Sequence, residues 1–159
     1  MALSCTIATA VMPAQAEKLL TVGIVETVRL DPGNIALDAK IDTGADDSSL
    51  DARDIEIFSR NGEKWVRFSV PLRDGPRAME LPLVRMTKTK RADAPSAKRP
   101  VVRMTVCLGT LTVPANVNLT DRAGLRYRLL IGRSVLAGRA VVDPQHKNLT
   151  APRCKESAK

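Results

Sequence analysis

Ile41-Asp42-Thr43-Gly44-Ala45 is the stretch that decides how this chain is read, and Leu129-Leu130-Ile131-Gly132-Arg133 near the C-terminus adds to its weight. An apolar strand delivers an aspartate into a turn of small residues, and about ninety residues later a second apolar run ends in glycine and arginine. Upstream of Asp42, Ile35, Leu37, Ala39 and Ile41 alternate with Ala36, Asp38 and Lys40. A period of two places one face of a strand on a core. The same alternation runs through Val66, Phe68, Val70 and Leu72, through Val102, Met104, Val106 and Leu108, and through Leu111, Val113, Ala115, Val117 and Leu119. A further strand is expected over residues 21–30.

Turn chemistry falls between these runs. Asp31-Pro32-Gly33-Asn34, Asp74-Gly75-Pro76 and Leu108-Gly109-Thr110 each break the pattern, and Asn61-Gly62 is a two-residue hairpin signal because both residues tolerate positive φ. Strand after strand with short turns predicts an all-β fold, sandwich or barrel. Pro71, Pro82 and Pro114 belong on edges or at bulges, since proline donates nothing to a ladder. One short helix is expected around residues 134–137.

The chain has 159 residues, enough for one domain with a core, and two Phe, one Trp and one Tyr, so that core must be aliphatic. Its net charge of +8 suits an anionic partner, but binders of single-stranded nucleic acid add exposed aromatic rings, which this chain can hardly spare. We therefore expect no nucleic-acid partner. Residues 1–16 carry no charge and end in Ala14-Gln15-Ala16, the small-x-small pattern read by signal peptidase. They are expected to be a cleaved export signal, giving a periplasmic or secreted protein; an apolar first strand is the plainer alternative. Residues 17–159 would then form a single domain whose core spans about residues 20–150, followed by a polar tail. Cys107 and Cys154 could pair in an oxidising compartment, or remain one buried thiol and one tail thiol.

Most familiar catalytic arrangements lack their residues. The single histidine, His146, sits in a polar stretch; there is no His-Glu-x-x-His, no Cys-x-x-Cys and no phosphate-binding Gly-rich loop with Lys and Ser or Thr. No metal and no cofactor are expected. Carboxylates remain, and Asp42 is the best placed. Gly44 lets the backbone turn sharply and brings an N–H towards the carboxylate. Capping a turn would be the ordinary task of such an aspartate. Peptide hydrolysis by carboxylates needs two of them sharing one proton, because like charges in contact cannot both ionise. Only one such turn exists here, so catalysis requires a homodimer that contributes one Asp42 from each copy.

Asp42-Thr43-Gly44-Ala45 together with Leu130-Ile131-Gly132-Arg133 resembles the retropepsins. More closely, the chain is similar to a bacterial retropepsin-like family labelled as ATP-dependent zinc proteases. The matching segments are residues 40–45, 48–52, 54–56, 65–68, 118–122, 130–133 and 142–144. The resemblance implies a closed β-barrel of the acid-protease type with one short helix near the C-terminus, working as a homodimer on a peptide or protein substrate. It implies that Asp42 is catalytic and that Thr43 braces the two loops across the dimer. Gly44 and Ala45 would shape the loop, with Ile131 and Gly132 packed beneath it. Arg133 would anchor the helix through an acidic residue such as Asp121. Zinc and ATP find no ligands in these residues. Two positions depart from the family pattern: Asp46 stands where a basic residue is usual and Asp51 where a histidine is common, and both are expected to add negative charge near Asp42. A flap over the substrate is expected at residues 72–79 around Asp74 and Gly75, with residues 88–98 as the rival.

Residues 85–103 hold Arg85, Lys88, Lys90, Arg91, Lys98, Arg99 and Arg103 against Asp93 alone. A solvated loop is the plain reading. The sharper one is a patch for an acidic partner or an anionic envelope surface. The leading functional expectation is thus an exported, homodimeric aspartic endopeptidase. The alternative is a non-catalytic domain of the same fold that docks an acidic partner through residues 85–103.

Overall fold

The structure, a computed structural model, describes residues 18–91 and 94–154; the expected export signal lies outside the described residues. Among the described residues eleven strands and one short helix follow one another: β1 Leu20–Gly23, β2 Val25–Asp31, β3 Ile35–Asp42, β4 Ser48–Asp51, β5 Arg53–Arg60, β6 Glu63–Val70, β7 Arg77–Arg91, β8 Ala94–Leu108, β9 Leu111–Thr120, β10 Leu129–Gly132, α1 Arg133–Leu136 and β11 Ala140–Asp143. Nine strands form one sheet in the order β2-β3-β10-β4-β9-β8-β7-β6-β5, and β2 also pairs with β8. That extra pairing closes β2, β3, β10, β4, β9 and β8 into a six-stranded barrel. The all-β expectation and the single short helix both hold.

The alternating apolar residues fill the barrel. Ile35, Ala39 and Ile41 of β3, Leu50 of β4, Met104, Val106 and Leu108 of β8, Val117 and Leu119 of β9, and Leu129 and Ile131 of β10 are all buried in one cluster. Asn61 and Gly62 both take positive φ (51° and 81°) in the hairpin that joins β5 to β6. Pro114 pairs with Thr105 of β8, upstream of the stretch of β9 that meets β4, so its missing N–H faces no ladder.

Two expectations need correction. Residues 21–30 are not one strand, because the chain changes sheets at Ile24. The Ile24 N–H donates to the His146 carbonyl (2.9 Å) and its carbonyl accepts from the Ile41 N–H (3.0 Å). β1 then pairs in parallel with β11, while β2 enters the barrel. Nor do residues 85–91 and 94–103 form a loop: they belong to β7 and β8, two fifteen-residue strands forming a long antiparallel hairpin. Val84 and Met86 are exposed, so this outer part of the hairpin, away from the buried Val102–Leu108 run of β8, has little core face to betray it.

Among the contacts that fasten the C-terminal segment to the barrel, two run through Cys107 and Glu26. Cys107 of β8 and Cys154 are joined in a disulfide with Cα atoms 5.8 Å apart. Closing a loop of 47 residues contributes about 4 kcal/mol in the chain-entropy account. The second is made by the acidic residue Glu26, which is wholly buried. Its carboxylate accepts the N–H groups of Gly23, Leu149 (3.0 Å) and Thr150 (2.9 Å) and the Thr150 hydroxyl (3.2 Å). Several donors aimed at one carboxylate compensate its desolvation, and removing it strands them all. Glu26→Ala is therefore expected to destabilise the fold by about 3 kcal/mol, read as a lowered urea midpoint; a loss below about 1 kcal/mol would contradict this role.

Candidate active site

Asp42 is the last residue of β3, where it sits beside Gly132 in the parallel pairing with β10. β10 separates β3 from β4 in the sheet. The chain leaving β3 must therefore cross the end of β10 to reach β4, and residues 43–47 make that crossing. The loop is stitched to what lies below it. The Arg133 N–H donates to the Ala45 carbonyl (2.8 Å) and the Ser134 N–H to the Asp46 carbonyl (3.2 Å). The Gly132 N–H donates to Ser48 Oγ (3.2 Å), and Ser48 is itself buried.

Gly132 is required by this approach and not by its own dihedrals (φ −86°, ψ 169°). A Cβ there would lie 2.7 Å from the Asp47 carbonyl carbon and oxygen and 2.8 Å from the Asp46 oxygen. Those are backbone atoms, which cannot swing aside.

The half-buried Asp42 carboxylate accepts the Gly44 N–H at 3.0 Å. It is the one hydrogen bond to that carboxylate among the described residues. Thr43 is exposed. Beside it lies a shallow apolar surface that includes Ile24, Ile41, Leu136, Ala140 and Val142.

The two aspartates that follow are already committed. Asp46 is ion-paired with Arg133, and Asp47 with Arg85 of β7. Asp51 is fully buried on β4, accepts the Arg122 N–H (2.6 Å) and pairs with Arg53 (3.1 Å). The expectation that Asp46 and Asp51 burden Asp42 with extra negative charge is thus corrected, because each is ion-paired with an arginine, Asp46 with Arg133 and Asp51 with Arg53. The expected Arg133–Asp121 pair is corrected too. Asp121 is held by Arg53, while Arg133 takes the acid of the loop it underlies.

Behind β4 lies a polar cluster that the sequence did not announce. Asn118 accepts from Ser49 (3.0 Å) and donates to the Ser48 carbonyl (2.8 Å). The Arg122 guanidinium, 7% exposed, bonds the Tyr127 carbonyl (3.1 Å). Burial pushes Arg122 below the usual guanidinium range, and the charges of Asp51 and Asp42 pull it back up.

The structure separates Asp74 and Gly75 from Asp42. Arg77, next to that turn, donates to the Gly33 carbonyl at 2.6 Å. Gly33 precedes the first residue of β3 and Asp42 is its last, a span of roughly 24 Å at strand rise. Residues 72–79 therefore lie at the wrong end of β3 to cover Asp42. The rival hairpin is rooted at the loop itself, through Arg85 and Asp47.

A closed six-stranded barrel with an aspartate turn seated over glycine is a retropepsin-like fold. The comparisons agree: residues 21–153 match the RimB-like family, described as retropepsin-like aspartic endopeptidase RimB. The chain belongs to that family. A protein of unknown function from Legionella pneumophila, Lpg0085, has the same fold, with a TM-score of 0.72 and 35% identity over 83% of this chain and 98% of its own. Two curated relatives are each named probable alpha-L-glutamate ligase. The one from Parasynechococcus marenigrum is 33% identical over 114 residues, covering 69% of this chain and 24% of its own length. The one from Shewanella pealeana is 33% identical over 113 residues, 69% and 25% respectively. The chain thus spans about a quarter of the length of these relatives. The retropepsin-like part of the resemblance stands; the zinc-protease label is replaced by the RimB-like one.

The crossing yields a direct check. Gly132→Ala is expected to lower stability by about 1–3 kcal/mol through overpacking against the loop. Gly124, where an added Cβ meets nothing within 4 Å, is the control and should stay within about 0.5 kcal/mol on substitution by alanine. Equal urea midpoints for the two variants would contradict the crowding read at Gly132.

Proposed function

We propose that the protein is an exported, homodimeric aspartic endopeptidase that hydrolyses peptide bonds with one Asp42 from each copy. The observation that carries this reading is the state of the loop carboxylates. Asp46 and Asp47 are each neutralised by an arginine, and Asp42 alone presents a carboxylate on a fixed turn with a single hydrogen bond. Within one chain no second loop carboxylate remains to share its proton, so the second must come from another copy.

In the dimer one carboxylate is ionised and the other protonated. The ionised one takes a proton from a water held between them, and the water oxygen bonds to the scissile carbonyl carbon. The protonated one donates to the carbonyl oxygen as charge builds there. Collapse of the tetrahedral intermediate breaks the C–N bond, and the leaving nitrogen takes up a proton from the pair. The apolar surface beside Thr43 supports dimerisation through this end of the barrel. The β7–β8 hairpin, rooted by Arg85 on Asp47, is the part that would close over substrate. Its basic residues favour an acidic peptide, in keeping with the glutamate-ligase name of the curated relatives. The Cys107–Cys154 disulfide supports an oxidising compartment, as an export signal would require.

A second reading rests on the same hairpin. The curated relatives carry this fold as a quarter of a longer chain named for ligation, and a non-catalytic domain could dock an acidic partner there through residues 85–103.

The test is digestion of an unfolded protein mixture from acidic to neutral pH by wild type and Asp42→Asn, with new termini read by mass spectrometry. Cleavage is expected in the wild type and should fall at least about 100-fold in the variant, the size of a lost acid–base group. Equal cleavage by both would remove Asp42 from the chemistry.

A further inference from the structure

A broad groove lies away from the catalytic loop. One wall is the turn between β6 and β7, with Arg73 and Arg77; another is the segment before β10, with Arg126 and Arg128. Lys147, beyond β11, closes a third side, and Thr27 of β2 and Asp38 of β3 contribute to the floor. Five basic residues line it against two acidic ones, Asp38 and Asp74.

Two of the cations build the groove. Arg77 donates to the Gly33 carbonyl and lies 3.6 Å from Asp74. Arg128 donates to the Pro71 carbonyl and so ties one wall to the other. Of the acids, Asp38 accepts the Thr27 hydroxyl at 3.0 Å. Arg73, Arg126 and Lys147 are exposed and meet no carboxylate among the described residues. Three uncompensated cations thus converge on walls already braced by backbone hydrogen bonds, which lowers the ordering cost of binding.

We propose that this groove is a docking site for a carboxylate-rich polypeptide segment, separate from the Asp42 loop. Guanidinium forks match carboxylates in geometry as well as charge. Val25, Leu37 and Leu72 between the charges provide apolar surface for the methylenes of acidic side chains. Nucleic acid fits less well. Tyr127 is the one ring in the groove, and the Arg126 guanidinium lies over it at 5.6 Å, so it offers little face for a base to stack on. Asp38, Lys40 and Asp42 share the outward side of β3, which puts Asp38, on the groove floor, about 13 Å from Asp42 along the strand. The occupant is an acidic segment of a separate partner, held apart from the Asp42 loop. The proposal does not depend on Asp42 being catalytic.

The test uses Asp42→Asn protein, so that nothing is cut, and a short fluorescein-labelled peptide of Asp, Glu and Ala. The triple variant Arg73→Ala, Arg126→Ala and Lys147→Ala is expected to weaken binding by about 10-fold or more, with a steep loss in salt. Lys18→Ala with Lys64→Ala, exposed lysines outside both the groove and the β7–β8 hairpin, should leave affinity within about twofold. A second measurement needs no groove variant: carbodiimide coupling of the peptide carboxylates to the protein should label Lys147. An unchanged affinity in the triple variant, coupling confined to Lys88 and Lys98, or tighter groove-dependent binding of oligothymidylate than of the peptide would each overturn the proposal.

Discussion

The structure turns on one crossing. The chain leaves β3 at Asp42 and has to pass over the end of β10 before β4 can begin, and it passes close enough that only glycine fits at position 132. The bond from the Arg133 N–H to the Ala45 carbonyl and the one from the Gly132 N–H to Ser48 Oγ fix the height of the loop. The single bond from Gly44 then fixes the Asp42 carboxylate. Two motifs far apart in sequence are thus a single structural unit, because the parallel register of β3 and β10 puts Asp42 beside Gly132.

Charge follows the same logic. A turn with three aspartates within six residues would repel itself if left alone. Arg133 comes from below and Arg85 from the long hairpin, and together they remove two of the three charges from competition. The Arg85–Asp47 pair also ties the hairpin to the loop, so whatever moves over the site shares an anchor with it. The buried Glu26 acts as an internal clip, gathering the end of β1 and the C-terminal segment with acceptors that water would otherwise supply.

Much of this was legible in the sequence. Ile35, Ala39 and Ile41 announced an inward face, Asn61-Gly62 announced its hairpin, and the meeting of Asp42 with Gly132 followed from the resemblance to retropepsins. What stayed hidden was hidden for physical reasons. The outer part of the β7–β8 hairpin, beyond the buried Val102–Leu108 run, is exposed, so no apolar alternation separates it from a loop. Arg85, Arg122 and Asn118 are placed by strand neighbours distant in sequence, and their spacing carries no signal. Glu26 did leave a trace: it shares the inward parity of Val28 and Leu30, where a carboxylate must be buried and bonded. The acids after Asp42 misled because sequence shows their charge and not the arginines that balance it.

The central claim is that one functional site is made by two copies of Asp42. Mixing wild-type and Asp42→Asn subunits under conditions of subunit exchange tests it most directly, with peptide cleavage measured against the wild-type fraction. Activity that falls as the square of that fraction is the predicted result, since a site with one aspartate cannot share a proton. Activity that falls in simple proportion would mean each chain works alone, and would contradict the account.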